Sequence, residues 1–204
     1  PYLHVRNGKK VKFSSPNAFF AEKKQIVEES FPGDIVGIHD TGNFKIGDTL
    51  TEGEQLNFKG IPSFSPEHFR YVNNADPMKS KQLYKGLDQL MDEGVAQLFT
   101  LDMNGRRVIG TVGALQYEVI QYRLAHEYGA KCSYENLQVH KACWVEPEDT
   151  KNEEFKEFKR VKQRYLAKDK QGQLVFLADS EFTIQMTQSK YPSVKLHFVS
   201  EFKN

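Results

Sequence analysis

The stretch Asp76-Pro77-Met78-Lys79-Ser80-Lys81-Gln82-Leu83-Tyr84-Lys85-Gly86-Leu87-Asp88-Gln89-Leu90-Met91-Asp92-Glu93-Gly94 decides the fold class. Asp caps the free amides of a helix start, and Pro is tolerated at the first helical position, where its missing N–H has no intrahelical acceptor. Leu83, Leu87, Leu90 and Met91 recur at helical spacing, and Gly94 suits the stop. Strand-like segments flank this helix, His68 to Val72 before it and Gln97 to Leu101 after it. Asn104-Gly105 then turns the chain into a strand from Arg107 to Val112. A second helix is expected from Ala114 to Tyr128, with Leu115, Val119 and Tyr122 on one side and Gly129 ending it. Cys132 to Leu137 returns as a strand. The order strand, helix, strand, strand, helix, strand is that of a split βαβ unit, two helices covering one face of an antiparallel sheet.

The same order recurs downstream. Val139 to Val145 reads as a strand and Asn152 to Arg164 as a helix. Two strands, Tyr165 to Ala167 and Leu174 to Leu177, flank the turn Lys170-Gln171-Gly172. Asp179 or Ser180 caps a helix to about Ser189, Tyr191-Pro192 closes it, and Val194 to Phe198 is a last strand. Upstream, Gly60-Ile61-Pro62-Ser63-Phe64-Ser65-Pro66 carries two prolines in five residues and reads as a domain boundary. Before it, Asn7-Gly8 marks a hairpin, Ile26 to Glu28 and Ile35 to Ile38 read as strands, and Thr49-Leu50 opens another. The expected class is α+β multidomain. Residues 1–62 form a partial antiparallel β-barrel, and residues 66–204 an α+β domain of split βαβ (ferredoxin-like) units, 66–137 and 138–204.

Composition narrows the function classes. The chain has 204 residues, a hydrophobic fraction of 39% and a mean hydropathy of −0.61. No stretch approaches the ~18 apolar residues of a membrane span, so no membrane partner is expected. Fifteen Phe and nine Tyr supply core-forming side chains and argue against disorder. Twenty-eight Lys and Arg against 27 Asp and Glu leave +1, so any nucleic-acid partner must be argued from local clustering. Cys132 and Cys143 are too few for a disulfide scaffold or a Cys-rich zinc site, and a cytoplasmic location is expected.

Enzyme machinery is not evident. The phosphate-loop pattern G-x-x-x-x-G-K-[ST] is absent. Gly110-Thr111-Val112-Gly113 lies between a strand and a helix, where free amides can hold a phosphate, but two glycines read better as close strand–helix packing. His39-Asp40 reads as a surface turn, His126-Glu127 lacks the second ligand of a zinc motif, and His140 and Cys143 would not share a strand face. No catalytic, metal or cofactor-binding residue is assigned. Basic clustering says more. Lys156, Arg160 and Arg164 share one face of the third helix with Lys159 at its edge, while Phe155, Phe158, Val161 and Tyr165 occupy the other. Such a stripe can neutralise RNA phosphates, although the preceding acids Glu146, Glu148, Asp149, Glu153 and Glu154 could pair with it. Lys81 and Lys85 form a smaller cluster with Lys79, whose place in a first helical turn is disfavoured by the dipole. The candidate ribosome- or RNA-binding residues are therefore Lys79, Lys81, Lys85, Lys159, Arg160 and Arg164.

Several phrases also carry a family resemblance. Phe31-Pro32-Gly33-Asp34-Ile35-Val36-Gly37-Ile38 and Ile46-Gly47-Asp48-Thr49-Leu50 resemble the barrel domain of translational GTPases. Phe58 to Glu67, Asp76 to Leu87, Val112 to Val119 and Trp144-Val145-Glu146 resemble the peptide chain release factor 3 family, and the similarity spans almost the whole chain. The resemblance implies the C-terminal portion of a bacterial cytoplasmic GTPase of translation termination. Such a protein binds the ribosome and uses GTP to promote departure of the codon-reading release factor after peptide release. Its partners would be ribosomal RNA and small-subunit proteins, with release factors affected indirectly and neither DNA nor membrane involved. GTP with magnesium would belong to a nucleotide-binding domain preceding the barrel, leaving this portion without catalytic activity. An elongation-type ribosomal GTPase fragment and a stand-alone RNA- or protein-binding module are the alternative readings.

Overall fold

The computed structural model describes residues 1–13, 16–20, 23–26, 29–39, 43–44, 46–56, 58, 65–147 and 152–200. Two compact units divide the chain, residues 1–61 and 62–204. The expected boundary at Gly60 to Phe64, the strand residues Val27 and Glu28, and Asp40, Glu148 and Asp149 lie outside the described residues.

Among the described residues the first unit holds two three-stranded antiparallel sheets. Its strands are β1 (Tyr2–His4), β2 (Lys9–Val11), β3 (Asn17–Phe20), β4 (Lys23–Ile26), β5 (Val36–Gly37) and β6 (Leu50–Thr51), in the orders β2-β1-β6 and β4-β3-β5. The Asn7-Gly8 turn joins β1 to β2, pairing His4 with Lys9. His4 is buried, and its Nε2 meets Asp48 Oδ2 at 2.8 Å. Arg6 donates to the same carboxylate, and the Phe44 ring lies tilted against His4 with centroids 4.9 Å apart. The strand expected at Ile35 to Ile38 is shorter, and Ile35 is exposed.

The second unit contains β7 (His68–Asn74), α1 (Ser80–Asp92), β8 (Gln97–Leu101), β9 (Arg107–Thr111), α2 (Leu115–Glu127) and β10 (Cys132–Asn136). It continues with β11 (Lys141–Pro147), α3 (Glu153–Lys162), β12 (Leu166–Asp169), β13 (Leu174–Ala178), α4 (Glu181–Lys190) and β14 (Val194–His197). Local signals set most of these limits. Asp76 accepts from the Met78 amide, Asn152 from Glu154 and Ser180 from Thr183. Gly94 and Gly129 end α1 and α2 with φ of 71° and 60°, the left-handed region that only glycine enters without strain.

All eight strands form one antiparallel sheet in the order β10-β7-β9-β8-β12-β13-β11-β14. Each half has the split βαβ order, and the halves meet edge to edge where β12 pairs with β8, Ala167 opposite Leu101. Alternation along the strands then assigns the faces. Leu98 and Ile109 pack under α1 and α2 with Leu83, Leu87, Ile120 and Leu124. Cys143, Leu166 and Phe176 pack under α3 and α4 with Phe155, Phe158 and Ile184. The opposite face carries a third core drawn from both halves, including Phe69, Phe99, Leu101, Trp144, Ala167 and Val175.

That helix-free face is buried because the sheet rolls around it. Phe99 and Trp144 stand on strands three positions apart, about 14 Å in a flat sheet, yet their ring centroids are 6.2 Å apart. The link between the halves shows the same curvature. The Leu137 amide donates to Phe69 and, three residues later, the His140 amide donates to Ala178. Three residues reach about 11 Å at most, whereas β7 and β13 would lie about 19 Å apart if flat. Leu137 and Val139 pack onto the third core.

The side of α2 bearing Leu115, Val119 and Tyr122 faces outward, at 73%, 49% and 64% exposure. The buried side is Tyr117, Ile120 and Leu124. Tyr117 is tolerated inside because its hydroxyl lies 2.8 and 2.9 Å from the His68 and Ile109 carbonyls. Gly86 marks the close approach of α1 to α2: a Cβ there would meet Leu124 Cδ2 at 2.7 Å and Tyr128 Cγ at 2.8 Å. Gly86→Ala should gain up to about 1 kcal/mol of helix propensity but lose about 1–3 kcal/mol to overpacking. We expect net destabilisation in urea unfolding; a stabilised variant would refute the close contact.

Candidate nucleic-acid interface

The candidate cations sit on, or in the 3-10 turn beside, the first helix of each half. Lys81 and Lys85 are exposed on α1 and have no carboxylate partner among the described residues. Lys79 is not in the first turn of α1: it closes a 3-10 turn, Pro77–Lys79, ahead of it. Its Nζ lies 3.7 Å from where a Gly129 Cβ would stand, just past the C-terminus of α2. A cation is favoured by that helix end, which removes the expected dipole penalty. Lys79 reaches toward the end of α2 while Lys81 and Lys85 sit one turn apart on α1, so the structure does not gather the three into one cluster.

On α3 the stripe is shorter than the sequence suggests. The helix stops at Lys162, and a 3-10 turn, Gln163–Tyr165, carries Arg164 off the helical register. Val161 and Tyr165 stay 49% and 36% exposed, so only Phe155 and Phe158 anchor the helix in its core. Two of the acids that could have silenced the stripe are engaged elsewhere, whereas Glu153 holds one of its cations, Lys156. Glu153 pairs with Lys156 at 2.6 Å, Glu154 accepts from the Ser193 hydroxyl at 2.7 Å, and Glu146 meets His197 at 2.9 Å. Glu157 pairs with Lys190, and that ammonium foremost, with Arg160 as a weaker neighbour, holds its carboxyl below the usual range. Lys159 and Arg164 are exposed with no carboxylate partner among the described residues.

The Gly110 to Gly113 turn is no phosphate cradle. Gln116 Oε1 accepts from the Val112 and Gly113 amides at 2.9 and 3.1 Å. Gly110 is a packing glycine, but against Pro66 and Phe99 rather than against a helix. The residues present therefore do not fit a bound GTP phosphate there. His126 stacks on Tyr122, and His140 stands exposed near Glu181 while Cys143 is buried. Burial pushes the Cys143 thiol up to about 12 and raises that of Cys132, so both are inert. Among the described residues no acidic, His or Cys cluster is arranged to hold a metal, and no helix is long and apolar enough to cross a membrane.

A β-rich unit is followed by a doubled split βαβ unit, and the family models that match them are those of the C-terminal region of a translational GTPase. Residues 1–53 match the model for elongation factor G domain 2. Residues 58–188 match the model for class II release factor RF3, C-terminal domain, and the chain belongs to that family. A crystal structure of a Thermus thermophilus protein shares the fold, with a TM-score of 0.52 and 17% identity. The match covers 70% of this chain but 23% of that one, so the chain spans less than a quarter of its length.

Proposed function

We propose that the chain is the ribosome-binding C-terminal part of a cytoplasmic GTPase that acts in translation termination. In this reading the parent protein uses GTP to promote dissociation of the codon-reading release factor after the peptide has been freed. The observation that carries it is the succession of family matches, a barrel-domain model followed by the release-factor C-terminal model. GTP with magnesium is then bound by a nucleotide-binding domain outside these residues. The barrel unit docks on the small subunit, and the α+β unit reaches toward the decoding side. Nucleotide state acts by changing which contacts these units make, since only a difference in contacts can shift such an equilibrium.

Lys81, Lys85, Lys159, Arg160 and Arg164 supply the cations for ribosomal RNA on this reading, and Lys79 is held against α2. Binding driven by five phosphate contacts should fall roughly one-hundredfold to five-hundredfold between 50 and 200 mM salt. Ribosome co-sedimentation tests it. The chain should pellet with ribosomes at low salt, and Arg160→Glu with Arg164→Glu should weaken that binding at least about tenfold. Binding indifferent to both salt and charge reversal would remove the assignment.

A further inference from the structure

The central strand pair of the eight-stranded sheet is exposed on the face that carries the helices. Thr100 on β8 and Lys168 on β12 are cross-strand partners at the seam between the halves, and both are exposed. Their face is fixed by alternation: Leu98 and Leu166, two residues away, pack under α1 and α3 respectively. Curvature explains the opening. The sheet is concave toward the third core and therefore convex beneath the helices, and Thr100 and Lys168 stay uncovered as the polar floor of a groove between α1 and α3 in the reading below.

The banks of this groove are specific. Arg107 is the partner of Thr100 on β9, and its guanidinium lies 4.1 Å over the Tyr84 ring of α1. Asp88 stands 3.6 Å from its Nη1, which has no hydrogen-bond partner, and Tyr84 keeps 42% of its surface exposed. Arg164 lies in the 3-10 turn that leads into β12, four residues before Lys168, and is exposed. Lys170 is not available, being held by Asp92 at 2.7 Å and by the Asp88 carbonyl.

We propose that this seam groove binds a single strand of RNA, with Lys168 and Arg164 on successive phosphates and a base stacked at Tyr84. The inference rests on the ribosome-binding reading and names the part of the ligand that this site takes. Phosphate alone would suit the two cations, and so would an acidic peptide. The aromatic ring braced by a guanidinium decides between them, because it offers a base a stacking surface for which a carboxylate chain has no use.

The test uses the full chain and a fluorescein-labelled ten-nucleotide oligouridine, read by fluorescence anisotropy. Two phosphate contacts predict a salt slope of about −1.4 in the logarithmic plot. Thr100→Glu, Lys168→Glu and Tyr84→Ala should each weaken binding about tenfold. Lys131→Glu, an exposed change at the start of β10 on the sheet's far edge, should alter it less than about twofold. Circular dichroism confirms that each variant is folded. Equal binding by all four variants, or preference for a ten-residue polyglutamate over the RNA, overturns the groove. Failure of the unaltered chain to pellet with ribosomes would instead overturn the parent reading, so the two failures are distinguishable.

Discussion

Trp144→Ala is expected to remove about 3–5 kcal/mol from the unfolding free energy of residues 62–204, the range for truncating a buried aromatic. Trp144 is 1% exposed and packs in the third core, 6.2 Å from Phe99. Its indole N–H also donates to Asp169 Oδ2 at 2.9 Å. Asp169 in turn accepts from the amides of Gln171 and Gln173, shaping the turn between β12 and β13. Truncation therefore opens a cavity against two halves at once and removes a charge-assisted hydrogen bond. Trp144→Phe separates the two effects: it keeps most of the volume, loses the donor, and should cost about 1.5–3 kcal/mol. Denaturant titration followed by far-UV circular dichroism decides this. Equal midpoints for Trp144→Ala and the unaltered chain would mean that the helix-free face does not hold the halves together.

Much of this architecture could be read locally. Asp76, Asn152 and Ser180 announce their helices because a side-chain cap acts within three residues. Gly94 and Gly129 announce the ends for a similar reason. What escaped the sequence was set by partners far along the chain. The outward side of α2 looks like a core stripe, since Leu115, Val119 and Tyr122 are apolar. Tyr117 looks less suited to burial until two strand carbonyls are brought to its hydroxyl. The candidate cations were legible as charges, but their grouping was not. Arg164 leaves the stripe because α3 tightens into a 3-10 turn, and Lys79 turns toward α2. Thr100 carried no signal and Lys168 only that of one charge in the basic run from Lys156 to Lys170, because their pairing lies in a register between strands from different halves.

That register is the basis of the second large effect. Ala167→Pro should reduce stability by at least about 3 kcal/mol, because Pro in an interior strand removes a ladder donor and its ring collides with the neighbouring backbone. Ala167 is fully buried and lies between Leu101 on β8 and Val175 on β13, so both pairings of β12 are disturbed. The distribution of the loss matters more than its size. If the halves were independent domains that merely touch, β7 to β10 would keep their amide protection while β11 to β14 lost theirs. The third core draws residues from both, and the link at Leu137 to His140 ties β7 to β13. Hydrogen exchange should therefore show protection falling together in Ile109 and Phe176, two buried strand residues on opposite sides of the seam. Loss confined to one side would mean that the seam joins two self-sufficient folds, and that the groove above it could open without unfolding either.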